Sequence, residues 1–177
     1  MTIANKITYT RFVLALISFV LLLSDYWKTG SVILLVAVLL DIADGIIART
    51  LKQESIQGIF LDILVDKVVI ISTFLIIGFK INSIFFYLGI LMLIREYSID
   101  SFRTLASTKR IVLVPDKLSK IKGIVFMVSM LGMVFNKALL NYEYVYLISI
   151  YLAILVMIFA YYSLIRVFLK NRTVVMK

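Results

Sequence analysis

Apolar residues in this chain run in long blocks, and the charged residues gather in short clusters between them. The blocks predict helices at roughly 11–27, 31–50, 57–79, 83–106, 119–138 and 143–169, with a polar, amphipathic lead-in over about 2–10. Several of these blocks approach or exceed the ~18 apolar residues needed to cross a bilayer as a helix. The expected fold class is therefore all-α integral membrane: six transmembrane helices with a short N-terminal amphipathic helix, residues 1–177 forming a single domain. The only proline, Pro115, falls in the connection between the fourth and fifth helices. No internal repeat or low-complexity segment interrupts the pattern. The first apolar block carries no small-residue cleavage site and is expected to be retained.

Composition reinforces the membrane reading. Hydrophobic residues make up 63% and charged residues 16% of the chain, against about 45–50% and about 25% in soluble domains. The net charge is +9. In a soluble protein that excess could signal nucleic acid; here it is expected to mark loops facing an anionic leaflet, with no nucleic-acid partner. With six spans, most cations, among them Lys6, Arg11, Arg49, Arg103, Lys120 and Arg166, fall on one side, and only Lys28, Lys80 and Lys137 on the other. This asymmetry predicts a multi-pass cell-membrane protein with both termini cytoplasmic.

Cysteine and histidine are both absent. Disulfides and thiolate metal sites are thereby excluded. Any metal must be held by oxygen, which favours Mg²⁺, Mn²⁺ or Ca²⁺.

Four acids, Asp41, Asp44, Asp62 and Asp66, lie within or at the edge of apolar helices. A carboxylate at the bilayer centre costs ~2.5–3.5 kcal/mol on insertion scales, so four within one short stretch require compensation. Asp41 and Asp44 are three apart, Asp62 and Asp66 four apart, so each pair shares a helix face. The Arg49–Gly58 connection folds the two helices into an antiparallel hairpin, and the four carboxylates converge near its end. One or two divalent cations would relieve their repulsion, and a pair of cations can clamp the attacking and leaving oxygens of a phosphoryl transfer. Gly45 gives a diphosphate close access to backbone, and Arg49 offers a planar fork for phosphate. Structural ion pairs with Arg49 and Lys67 are the plainer reading of any one acid, and an ion transporter is the non-enzymatic alternative.

Asp41-x2-Asp44-Gly45-x2-Ala48-Arg49-x8-Gly58-x3-Asp62-x3-Asp66 resembles the complete signature of the CDP-alcohol phosphotransferases. The resemblance implies six membrane helices, a site at the cytoplasmic face, and two divalent ions, Mg²⁺ or Mn²⁺, held by Asp41, Asp44, Asp62 and Asp66. It implies that Asp66 is the general base. It also implies contacts to the CDP-lipid from Gly45, Ala48, Arg49, Ser55 and Gly58, and a homodimer. Asn5-Lys6-Ile7-Thr8-x2-Arg11 resembles the amphipathic opening of these enzymes, which brings Asn5 and Thr8 near the nucleotide; its plainer reading is a helix start with a snorkelling Arg11.

Arg95-Glu96-x6-Arg103-Thr104 and Lys120-Ile121-Lys122 are similar to bacterial phosphatidylglycerophosphate synthases. That resemblance implies CDP-diacylglycerol as donor and glycerol 3-phosphate as acceptor, with Arg95, Arg103, Lys120 and Lys122 around the acceptor. Asp100, Ser101, Ser119 and Gly123 depart from that pattern, as do Ile63 and Val65. Asp100 stands within one turn of Arg103 and is expected to pair with it. A cardiolipin synthase of the same family, or another acceptor alcohol, is the alternative. Lys67, about 100° from Asp66 around its helix, is expected to serve in helix packing or at a headgroup.

Overall fold

A computed structural model describes residues 3–50, 56–109 and 118–171; at 3–5, 42–50, 56–57, 59 and 118–120 it describes the backbone alone. Six long helices form the fold: α1 (Ile3–Leu23), α2 (Trp27–Thr50), α3 (Ile56–Lys80), α4 (Ser83–Thr108), α5 (Leu118–Phe135) and α6 (Glu143–Lys170). Among the described residues there is no strand. Three stretches, Lys6–Leu23, Ile121–Leu140 and Glu143–Lys170, are long and apolar enough to cross a membrane. Charged residues break up the apolar runs of α2, α3 and α4.

Two boundaries differ from the sequence expectation. The lead-in and the first apolar block form one uninterrupted helix, α1, rather than two elements. No glycine or proline separates them, so nothing in the backbone forces a break. The first turn also comes earlier than expected. Asp25 adopts φ 64 and reverses the chain, so α2 begins at Trp27. The Trp27 indole donates to the Asp25 carboxylate at 3.3 Å, and Lys80 from the end of α3 donates to it at 2.8 Å. The Lys80 hydrogen bond holds the Asp25 carboxyl below the usual carboxylate range.

Two further connections, α3–α4 and α5–α6, carry polar caps. Asn82 caps α4, its side chain accepting from the Ile84 amide at 2.8 Å. Beyond α5 the helix widens into a π-turn at Asn136–Leu140, which ends at Asn141 with φ 52. The Asn136 side chain accepts from the Tyr142 amide at 2.9 Å and closes this corner.

Short connections make neighbours antiparallel. α1 packs on α2, α3 on α4 and α5 on α6; α1 also meets α3, α4 meets α6, and α5 meets α2 and α3. The core is apolar, with Phe74 against Phe85 and Phe126 at ring distances of 5.5 and 5.8 Å. Large apolar side chains such as Val20, Phe79, Tyr87, Ile124 and Ile158 cover the outside. That is the inverse of a soluble surface and matches a lipid solvent. The alternation brings the start of α1, α3 and α5 and the end of α2, α4 and α6 to one end of the bundle.

α3 and α4 approach closely at Gly78, where an added Cβ would lie 2.1 Å from the Phe86 amide nitrogen. Gly123 in α5, by contrast, faces open space. Gly78→Ala should therefore lower the thermal midpoint in detergent, because backbone rather than a flexible side chain must move, at a cost of about 1–3 kcal/mol. Gly123→Ala should raise it by up to about 1 kcal/mol through helix propensity. Equal midpoints for the two variants would contradict this packing.

Candidate active site

α1 packs against both α2 and α3 and so brings Asp41 opposite Asp62 and Asp66, where the sequence suggests that α2 and α3 pack directly as a hairpin. A carboxylate oxygen from each of these three aspartates lies within 4.8 Å of the other two. Arg11 of α1 sits among them with only 2% of its side chain exposed. Its guanidinium pairs with Asp41, lies 3.1 Å from Asp62 and donates to Asp66 at 2.6 Å. It also donates to the Asp62 carbonyl at 3.4 Å. The carboxylates keep partial exposure, Asp41 at 22% and Asp62 and Asp66 at 42%.

Three carboxylates and one guanidinium leave two formal negative charges. All the donors are oxygen, so this donor set fits a hard divalent cation. Asp44 lies one turn beyond Asp41 on α2, on the same helix face, and its side chain is outside the described residues. A small cavity of about 10 Å³ adjoins Arg11, Asp41 and Asp66 and is walled by Met127 and Met130 of α5. Ala37, Val38, Val69 and Ile70 complete its apolar lining.

A second set of charges joins α3 to α4. Lys67 donates to Asp100 at 2.5 Å and lies 3.3 Å from Glu96. Glu96 also pairs with Arg95. Lys67 is thus a bridge between helices, consistent with a packing role. The expected Asp100–Arg103 pair is the weaker one, at 3.9 Å, because Lys67 takes the Asp100 carboxylate first. Arg103 remains 43% exposed.

The sequence-derived site residues divide by location. Thr8 is buried on α1, one turn before Arg11, and Gly58 lies one turn before Asp62 on α3. Arg95 is buried on α4. Lys122 is buried on α5, where it lines a groove against α6. The side chains of Asn5, Asp44, Gly45, Ala48, Arg49 and Lys120, and the whole of Ser55, lie outside the described residues. Sequence reasoning gave Arg11 only a snorkelling part. Its spacing from Thr8 was the available signal, since a cation set at the start of an apolar run needs a partner.

Asp41, Asp62 and Asp66 thus form an all-oxygen cluster that could hold a divalent ion within an apolar helical bundle. The chain matches the CDP-alcohol phosphatidyltransferase family over residues 1–169 and belongs to it. It is therefore a transferase that takes a CDP-alcohol donor and an alcohol acceptor in a lipid setting, and its family uses divalent metal ions.

Arg11→Gln leaves the three carboxylates together without the guanidinium between them. Breaking a fully buried pair costs ~3–5 kcal/mol, and the partial exposure of these carboxylates reduces that to about 2–3 kcal/mol. In EDTA the variant should melt well below the parent, and Mg²⁺ or Mn²⁺ should restore more of its midpoint than of the parent's. Identical midpoints in EDTA would remove Arg11 from the centre.

Proposed function

We propose that this protein transfers the phosphatidyl group of CDP-diacylglycerol to glycerol 3-phosphate, giving phosphatidylglycerophosphate and CMP. The observation that carries the chemistry is the convergence of Asp41, Asp62 and Asp66 within 4.8 Å. The cations of α4 and α5 support the acceptor. Glycerol 3-phosphate bears close to two negative charges and no acyl chain, so fixed cations near Asp66 must hold it. Arg103 can grip its phosphate with two parallel hydrogen bonds, with Lys120 as a point charge and Arg95 and Lys122 flanking. Because Asp100 leans to Lys67, Arg103 keeps most of its charge for a ligand.

Asp41, Asp44, Asp62 and Asp66 would hold two Mg²⁺ or Mn²⁺ ions, which when bound supply charge neutralisation for the diphosphate. On the donor side, Gly45, Ala48 and Gly58 admit the diphosphate close to backbone, and Arg49, Ser55, Asn5 and Thr8 bind the CDP group. On the acceptor side, an Asp66 carboxylate oxygen takes the proton of the attacking hydroxyl. The hydroxyl oxygen of the acceptor forms a bond to the lipid-linked phosphorus, and CMP departs with the electrons of the broken P–O bond. The basic end of the bundle, with both termini and the site, faces the cytoplasm in this reading, with six spans and two copies per assembly.

An acceptor panel tests the assignment. Purified protein with CDP-diacylglycerol and Mg²⁺ or Mn²⁺ should release CMP with glycerol 3-phosphate and not with phosphatidylglycerol, and EDTA should stop it. Arg103→Lys should raise the apparent KM for glycerol 3-phosphate far more than that for CDP-diacylglycerol, because lysine keeps the charge and loses the fork. CMP release with phosphatidylglycerol alone would replace this acceptor by a second lipid.

Asp66→Asn keeps the side chain's size and removes its ability to take a proton. Turnover should fall about 10²-fold or more, in line with general-base contributions, while CDP-diacylglycerol binding persists. Loss of donor binding in parallel with turnover would make Asp66 chiefly a ligand.

A further inference from the structure

A second concavity lies away from the aspartates. It is a groove of about 300 Å³ between α5 and α6, lined almost wholly by apolar surface. Val125 of α5 and Leu155, Val156 and Phe159 of α6 form its walls. Exposed Arg166 stands at one end, with Ser163 one turn inside it, whereas Lys122 on the α5 side is buried. Lys170 continues the basic stripe one turn beyond Arg166.

Three features identify its occupant. The first is position. On α5, Ile121 and Val125 line this groove, whereas Met127 and Met130 wall the aspartate centre. At about 100° per residue these two sets lie roughly 120–180° apart, so the body of α5 separates the groove from the catalytic centre. The second is length. Leu155 to Arg166 spans about 16 Å along the helix axis, close to one leaflet of a hydrocarbon core about 30 Å thick. The third is charge. Arg166 and Lys170 sit exposed at the end of the bundle that carries the other basic residues, where a phosphate headgroup of that leaflet would lie. Leu155 and Phe159 are exposed, so the groove opens sideways to the lipid.

We propose that this groove holds one anionic phospholipid as a bound lipid distinct from both substrates. One acyl chain lies along Val125, Leu155 and Phe159, and the phosphate rests at Arg166, with Lys170 one turn beyond it. Free phosphate would not use the apolar walls, and a zwitterionic lipid would not use the paired cations. The site is lateral to the reaction and holds its lipid whether or not the donor is bound.

Fluorescence quenching in vesicles tests this on the full chain. The sole native tryptophan, Trp27, is replaced by Phe, and a reporter is placed by Phe159→Trp in the groove or by Val20→Trp on an apolar face outside it. The quenchers are brominated phosphatidic acid, which has no hydroxyl to act as acceptor, and brominated phosphatidylcholine. At the groove, phosphatidic acid should be preferred over phosphatidylcholine about threefold or more; at Val20 the ratio should be near one. Arg166→Gln should bring the groove ratio to near one, and excess CDP-diacylglycerol in EDTA should leave it unchanged. Equal ratios at both reporters would overturn the proposal. So would displacement by CDP-diacylglycerol, which would make the groove a donor site. Absence of quenching at Phe159→Trp would also overturn it, since a second copy of the chain would then cover the groove. Native mass spectrometry of the unsubstituted protein and Arg166→Gln provides a check free of the tryptophan changes: only the former should retain phosphatidic acid over phosphatidylcholine.

Discussion

A carboxylate cannot be left alone in an apolar bundle, and the functional end of this structure is organised around that constraint. Asp41, Asp62 and Asp66 come from two helices, and their mutual repulsion would separate α2 from α3. Arg11 prevents this by entering from a third helix and touching all three. The same guanidinium leaves the cluster with two formal negative charges, the value a divalent cation neutralises. Stability and chemistry thus share one set of atoms. The helices are held at a spacing set by a charged fork, and the remaining charge defines what else can bind there.

The second ionic set lies on the other flank of α3. Lys67 faces two carboxylates of α4, and that pairing sets how α4 turns its remaining cations. Asp100 decides between two basic neighbours, and its nearer one belongs to a different helix. Arg103 is therefore shielded only weakly by the acid one turn before it. The residue after Asp66 thereby fixes the helix that presents the basic groups proposed for the acceptor.

Much of this was legible in the sequence, for reasons that differ by feature. Apolar blocks and turn residues are local signals, so α2 to α6 could be placed within a few residues, while α1 begins at Ile3 rather than near Arg11. The aspartates were legible because their three- and four-residue spacing is a helix property and their apolar setting is improbable without a function. The role of Arg11 was not legible. It depends on α1 packing against both α2 and α3, which no local pattern encodes. The continuity of α1 was missed because a change in polarity was read as a change in element, whereas only backbone chemistry ends a helix. Lys120 and Lys122 looked equivalent as neighbours in a basic cluster. Two residues apart on a helix they point about 200° from one another, and Lys122 lines the α5–α6 groove. The π-turn after α5 has no sequence signature that periodicity detects.

The contact between α5 and α6 has a shape as well as a strength. Deep in the bundle the two helices are drawn tightly together: Ser129 donates to the Ser149 carbonyl at 2.7 Å, and a Cβ on Gly132 would come within 2.8 Å of the Ser149 hydroxyl. Toward Arg166 the same pair leaves a space of about 300 Å³. The helices therefore behave like the jaws of a clothes-peg, with small residues as the pivot. Bulk added at the pivot would be magnified along the lever arm, so residues that never meet a headgroup control the aperture at which one would lodge.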